Sequence, residues 1–161
     1  MIESAHGIAE SLLANDLPRR WAHTGGVATR ATELADLMGD EAGLLHAAAL
    51  PHDIGYAPQL AATGFHPLDG ARYLRKTAVF GERLVSLVAH HSFALVEAEL
   101  RGLRTELESE FPQLSEDRLL TDALVFCDMT TTPDGTRTTS WARVDEITSR
   151  YSADSLVGRS R

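Results

Sequence analysis

The sequence predicts an all-α fold, a compact multi-helix bundle, and three observations carry that prediction. Apolar residues recur at helical spacing in nearly every long segment. No stretch of useful length alternates apolar and polar residues as a half-buried strand would. The chain has 161 residues, 43% hydrophobic and 24% charged, which is the balance of a folded chain and, at about 150 residues per domain, room for one core. No internal repeat, low-complexity tract or Gly/Pro/Ser-rich linker divides it.

The elements follow in order. Residues 3–14 form a short amphipathic helix ending near Asn15. Pro18 then stands where a first helical turn tolerates proline. Over 19–38, Val27, Ala31, Leu34, Ala35 and Met38 recur on one helix face, and Gly39 stops the helix. A third helix runs from about Glu41 through Leu44, Leu45 and Ala48 to the region of His52; Gly55 and Pro58 end it, and 56–65 reads as a loop. Pro67 opens a helix over 67–76, and Gly81 precedes another with Leu84, Leu87 and Val88 on one side. Residues 93–109 are helical with Gly102 interrupting, and Ser115 is the expected N-cap of a helix with Leu120 and Leu124 inside. TTTPDGT (130–136) is a turn, and a last helix covers about 140–150.

Composition also excludes functions. Lys plus Arg (15) against Asp plus Glu (23) leaves a net charge of −8. Gripping a nucleic-acid backbone needs clustered positive charge, so no nucleic-acid partner is expected. No apolar run approaches the roughly 20 residues of a membrane span, so no membrane partner is expected either. The first residues, MIESAHGIAE, lack a basic and apolar secretory leader, and the single cysteine, Cys127, cannot form an internal disulfide. Both fit a cytoplasmic location. Seven histidines beside one cysteine point to imidazole and carboxylate chemistry rather than thiolate chemistry.

The informative residues are ionisable groups on apolar faces. His23 shares the stripe of Val27 and Ala31; His52 follows Leu44 and Ala48; Asp128 follows Leu120 and Leu124. Asp53 is turned about 100° from His52 and can enter the same cavity at a helix end. A lone inward histidine is more often a hydrogen-bonded core residue than a ligand. A buried carboxylate, however, needs a partner, and a divalent cation is the simplest common partner for two carboxylates and two imidazoles. Mixed nitrogen and oxygen ligands suit Mn, Fe, Co, Ni or Zn better than Ca or Mg.

His23, the doublet His52-Asp53 and then Asp128 resemble the H…HD…D signature of the HD-domain metal-dependent phosphohydrolase superfamily. RWAHTGGVATRATELA (20–35), LLHAAALPHDIG (44–55) and LLTDALVFCDMT (119–130) resemble its signature helices, and the HDIG tetrapeptide is close to the commonest form. The resemblance covers about 15–130 and implies a single HD domain over 1–161, with His52 and Asp53 essential to catalysis. Subfamilies with two metals, among them those resembling HD-GYP phosphodiesterases and diadenosine-tetraphosphate hydrolases, carry further histidines. By that resemblance His66 and His90 hold a second metal with Asp53 bridging, giving one or two ions per chain. Periodicity places His91 nearer the centre of its apolar stripe than His90; both are kept, and His90 is preferred. Tyr56 stands where the family often has lysine, Pro51 where leucine is usual, and the GYP motif is missing, so cyclic dinucleotide cleavage is not supported.

The leading expectation is a metal-dependent phosphohydrolase acting on a small phosphorylated metabolite, a nucleotide first. Candidate substrate-side residues are Arg19 and Arg20, Tyr56, Arg72 and Lys76, and Arg137. Asp69, three residues after His66, is a candidate to orient that imidazole. His46 is a candidate to support Asp53, and His6 is expected at the surface. Two rivals stand beside this reading: an HD-fold di-iron oxygenase acting on a small organic substrate, and a non-catalytic binding module. Substrate, metal and oligomeric state are not legible.

Overall fold

In the computed structural model, which describes residues 1–150, the chain runs through ten α-helical segments. They are α1 (Ile2–Leu13), α2 (Pro18–Glu33), the single turn α3 (Ala35–Met38), α4 (Ala42–Ala49), α5 (His66–Thr77), α6 (Glu82–His90), α7 (Ala94–Arg101), α8 (Arg104–Glu110), α9 (Arg118–Met129) and α10 (Ser140–Arg150). Among the described residues the only extended pairing is an isolated bridge between Thr131 and Arg137. The fold is all-α, as expected. The final stretch of the expected 1–161 domain, 151–161, lies outside the described residues.

Helix α4 occupies the centre and packs against α1, α2, α3, α6 and α9. Its sequence, AGLLHAAA, explains this: Leu45, Ala47, Ala48 and Ala49 are all fully buried, and a helix apolar on most sides must be enclosed. Its run of alanines lets neighbouring backbones approach closely. The large side chains therefore come from around it, with Leu13, Leu68, Leu84, Leu87 and Leu124 filling the interior, each worth about 1.5–3 kcal/mol of burial. Helix α6 packs on α4 and pairs with α5, and α9 packs against α2, α4 and α6.

Four local expectations are corrected. The helix expected over 19–38 breaks at Leu34 (φ −90°, ψ 3°), so that α3 turns separately onto α4. Helix α4 ends at Ala49 rather than reaching His52. Pro51 has no N–H to continue the helical ladder, and His52 and Asp53 lie in the turn that follows, closed by Ile54 N–H to Pro51 O at 3.2 Å. Residues 56–65 are not plain loop but include a 3₁₀ turn at Pro58–Leu60, following another at Ile54–Tyr56. Ser115 does not cap α9 with its side chain; it begins a 3₁₀ turn (Ser115–Asp117) leading into that helix. Gly102, by contrast, separates α7 from α8 in the left-handed conformation (φ +72°), as its position suggested.

Two close approaches lock the segments that carry polar residues inward. A Cβ on Gly55 would lie 1.9 Å from the carbonyl oxygen of His66, so glycine lets the 52–56 turn lie directly against the start of α5. A Cβ on Gly26 would lie 2.4 Å from Gly135 O, and Gly135 itself has φ +80°. The 132–135 turn is thereby seated on α2.

Candidate metal centre

Six histidine and aspartate side chains from five parts of the chain meet in the interior. His23 comes from the middle of α2, His52 and Asp53 from the turn after α4, His66 from the first residue of α5, His91 from the residue after α6, and Asp128 from the end of α9. All are at least nine-tenths buried. Asp53 is the hub. Its Oδ2 lies 3.5 Å from His52 Nε2 and 3.8 Å from His23 Nε2, while its Oδ1 lies 3.4 Å from His66 Nε2 and 3.6 Å from His91 Nε2. Two groups result, His23–His52–Asp53 and Asp53–His66–His91, each with ligand-type atoms within 4.8 Å of one another and each able to hold a metal ion. Asp128 joins the first group through His23, Oδ1 to Nε2 at 3.0 Å.

Backbone carbonyls fix how the imidazoles face. His52 Nδ1 donates to Ala49 O at 2.7 Å, His91 Nδ1 to Val88 O at 2.6 Å, and His23 Nδ1 to Thr132 O at 3.0 Å. A ring whose Nδ1 carries the proton presents the Nε2 lone pair, as His52 and His91 do toward Asp53, whereas His23 donates from Nε2 to Asp128 Oδ1 at 3.0 Å. His52 Nε2 is buried with no hydrogen-bond partner. Leaving such an atom unsatisfied costs about 1–3 kcal/mol, and a cation among these donors would satisfy it. Metal bonds of about 2.0–2.2 Å to nitrogen and oxygen place neighbouring ligand atoms roughly 3–3.5 Å apart, close to the observed spacings. The donor set therefore fits a transition metal.

The electrostatics agree. Burial pushes the His52 pKa down to about 4 against the pull of Asp53, so this imidazole is neutral at pH 7. Burial acts to lower the His23 pKa too, but the hydrogen bond and charge of Asp128 outweigh it and hold the value above normal. Burial also works against ionising Asp53 and Asp128. For Asp53 the neighbouring histidines and Arg20 prevail, for Asp128 the hydrogen bond and charge of His23, and both carboxyls lie well below their usual range. His52 and the two carboxylates are thus held in the protonation states that metal binding requires, whereas His23, whose proton Asp128 favours, has to give it up to a metal.

Around this centre the candidates separate. Arg20 lies beside it, donating from Nη1 to Asp53 Oδ2 at 2.7 Å with its guanidinium 3.9 Å over the Tyr56 ring. Tyr56 in turn stacks on His66, centroids 3.9 Å apart, so Arg20, Tyr56 and His66 form a three-layer stack. The preference for His90 over His91 is reversed: His90 turns away, its Nε2 donating to Phe111 O at 2.5 Å, because α6 ends at His90 and the extended backbone of His91 aims the second imidazole inward. Asp69 does not orient His66; it accepts from the Thr63 and Gly64 backbones and the Thr63 hydroxyl, tying the loop before α5. Arg72 is held by Glu106 and Glu110 of α8, Lys76 is exposed at the end of α5, and Arg137 is exposed with its nearest acid, Glu33, at 3.7 Å. None of these three reaches the centre. Arg19 pairs with Asp134 at 2.7 Å on the surface, at the rim of a cavity described below. His46 faces Thr32 rather than Asp53, and His6 is exposed.

Sequence reasoning missed Ser92 and read Thr132 first as part of the turn after Asp128, with lining the pocket as its alternative. Ser92 donates its hydroxyl to Asp128 Oδ2, and it sits with Phe93 in consecutive left-handed conformations (φ +54° and +59°), a backbone state that no periodicity signals. The carbonyl of Thr132 orients His23 through the turn seated by Gly26 and Gly135. Cys127 is buried and unpaired, its thiol pushed up to about 12 by burial, which makes it inert. No helix of the described residues is long and apolar enough to cross a membrane.

A cavity of about 300 Å³ opens against the centre, with Arg20 and His23 in its wall. Comparison with known families matches residues 20–125 to the HD domain. That stretch contains five of the six inward histidines and aspartates, with Asp128 just beyond it. No match was found among curated proteins or among solved structures. With two thirds of its length matched and a buried His/Asp cluster able to hold a metal, the chain belongs to the HD-domain family of the metal-dependent phosphohydrolase superfamily.

Proposed function

We propose that the protein hydrolyses a phosphoester or phosphoanhydride of a small phosphorylated metabolite, with a nucleotide as the first class to test. The observation that supports this most is the sharing of Asp53: one carboxylate serves two metal-sized groups through its two oxygens. In this reading His23, His52, Asp53 and Asp128 hold one ion and Asp53, His66 and His91 a second. Bound ions lower the pKa of water toward 7 and neutralise charge on a phosphoryl group. The chain's own residues prepare that chemistry. Ala49, Val88 and Thr132 carbonyls fix the three imidazoles in one tautomer. Ser92 fixes the rotation of Asp128. Arg20, 28% exposed at its side chain, keeps guanidinium donors beside the centre, where charge develops on phosphoryl oxygens. The cavity at His23 has the size of a small metabolite.

One observation favours a second reading. Tyr56 replaces the lysine that phosphate contact would use, and it lies flat on His66, which suits a di-iron oxygenase acting on a small organic substrate. The deciding experiment loads metal-free protein with Mn or Fe and measures inorganic phosphate release from a panel of nucleotides and sugar phosphates, with oxygen uptake in parallel. Phosphate release that disappears in His52→Ala and Asp53→Ala supports the hydrolase. Oxygen uptake by the iron form with no phosphate release overturns it in favour of the oxygenase.

A further inference from the structure

The face of α9 that is turned away from the core runs along an apolar groove. Two hollows of about 290 and 310 Å³ share Phe93, Asp122 and Val125 in their walls. One extends to Val96 of α7, the other to Phe126 and to Val144 of α10. Among the described residues, half of the large apolar side chains exposed to solvent belong to this region. Phe93, Val96 and Phe126 line the groove. Leu119, 61% exposed, stands one turn before Asp122 on α9, and Trp141, 82% exposed, stands three residues before Val144 on α10. Single exposed apolar residues need no explanation, but a contiguous patch of them marks an interaction surface. Phe93, at the junction of the hollows, is exposed although its left-handed backbone (φ +59°) is costly for a bulky residue.

The charges on this face identify the occupant. Arg118 and Asp122 stand four residues apart on α9, both exposed, and among the described residues neither side chain has a hydrogen-bond or ion-pair partner. Other exposed arginines, such as Arg19 and Arg104, are paired with acids. A helix that offers one charge of each sign a turn apart is complementary to itself when reversed. In an antiparallel pair of α9 helices with a two-fold axis between residues 118 and 122, each Arg118 faces the partner's Asp122. The pair forms twice, as a symmetric contact requires. The same axis brings Leu119 of each copy to the hollow beside Asp122 and Val125 of the other. A purely acidic or purely basic partner would leave one of the two charges unmatched. Copies of a chain with net charge −8 also repel one another, so they meet best where opposite charges come together.

We propose that this face of α9 is the interface of a symmetric homodimer, in which Leu119 of each copy fills the groove of the other and Arg118 pairs with the partner's Asp122. The occupied groove adjoins the metal centre through the segment that carries Phe93, since Ser92 donates to Asp128. The dimer does not depend on which reaction the centre performs.

Sedimentation velocity of the full-length protein across micromolar concentrations tests this without any substrate. A species of twice the chain mass is expected in the wild type. Leu119→Glu is expected to be monomeric, because it sets an unpaired charge in the apolar contact. Its helical circular dichroism should match that of the wild type, which separates lost association from lost folding. Arg118→Asp and Asp122→Arg each place like charges opposite one another and should weaken the dimer about tenfold or more. The double variant, Arg118→Asp with Asp122→Arg, brings opposite charges together again and should recover most of the affinity. A wild type that stays monomeric overturns the proposal and leaves the groove to another occupant, residues 151–161 or a different protein. A dimer that Leu119→Glu and the single charge reversals leave intact also overturns it, as does a double variant that associates no more tightly than the single ones.

Discussion

Arg20 and Asp53 form a charge pair at 2.7 Å across the mouth of the metal centre, and the oxygen they share, Oδ2, is also the one that faces His23 and His52. Arginine and a metal ion therefore draw on the same carboxylate. Without metal, Arg20 acts together with the neighbouring histidines, His52 first among them, to hold the Asp53 carboxyl ionised. Removing it should leave a buried charge uncompensated. Because Arg20 is partly exposed, the cost in Arg20→Ala should be about 2 kcal/mol, below the ~3–5 kcal/mol of a fully enclosed pair. Added metal should restore most of it, since binding to the folded state stabilises by mass action. The rise in melting temperature on adding Mn should thus be larger in the variant than in the wild type. An equal rise in both would show that the pair is not in competition with metal.

The two adjacent histidines give a sharper expectation. His91 presents Nε2 to Asp53 at 3.6 Å, whereas His90 hydrogen-bonds Phe111 O on the other side of α6. His91→Gln should lower the bound metal by one equivalent per chain, measured by elemental analysis after dialysis. His90→Gln should keep the full complement and lose only about 1 kcal/mol of stability from the broken hydrogen bond, read by urea unfolding. The reverse pattern would restore the sequence-based preference.

Ser92 is placed to act on metal affinity without touching metal. Its hydroxyl donates to Asp128 Oδ2 while Oδ1 faces His23, so the serine sets the rotation of the carboxylate. Ser92→Ala removes the bond, and metal affinity should fall about 10–100-fold, the usual effect of losing such support. Ser92→Gly removes the same bond but relaxes the left-handed backbone (φ +54°). It should therefore match Ser92→Ala in metal affinity and exceed it in stability. If glycine restored affinity, backbone strain rather than the hydroxyl would be the operative feature.

These sites also show what the sequence could and could not disclose. His23, His52 and Asp128 were legible because each continues an apolar stripe at helical spacing, and Asp53 because it adjoins one of them. His91 was the better candidate on periodicity, and only the family's habit of using the first histidine of the pair favoured His90. Helical period is a good guide as far as the last turn, and here the helix stops between the two residues. Asp69, Arg72 and Arg137 illustrate a different limit. Spacing locates a residue on its own helix, but their partners, Thr63, Glu106 and Glu110, and Glu33, lie on segments whose approach is set by tertiary packing.

Burial of His52 should also be visible as a pH dependence of the metal-free protein. Its folded pKa is about 4 against an unfolded value of 6.5. Above pH 6.5 both states are neutral there and nothing changes. Between 6.5 and 4 the unfolded chain takes up a proton that the folded chain refuses, so acidification favours unfolding, by up to about 3 kcal/mol over the full window. His90, also lowered by burial, acts in the same direction, whereas His23, held high by Asp128, acts in the opposite one. Asp53 and Asp128, both depressed, keep their stabilisation throughout this range and lose it only below the usual carboxylate values. Urea unfolding in a chelating buffer should therefore show the wild type less stable at pH 4.5 than at pH 7, and His52→Gln should lose about 2 kcal/mol less over that interval. A variant with the same pH slope as the wild type would mean that His52 is not the group whose burial opposes protonation.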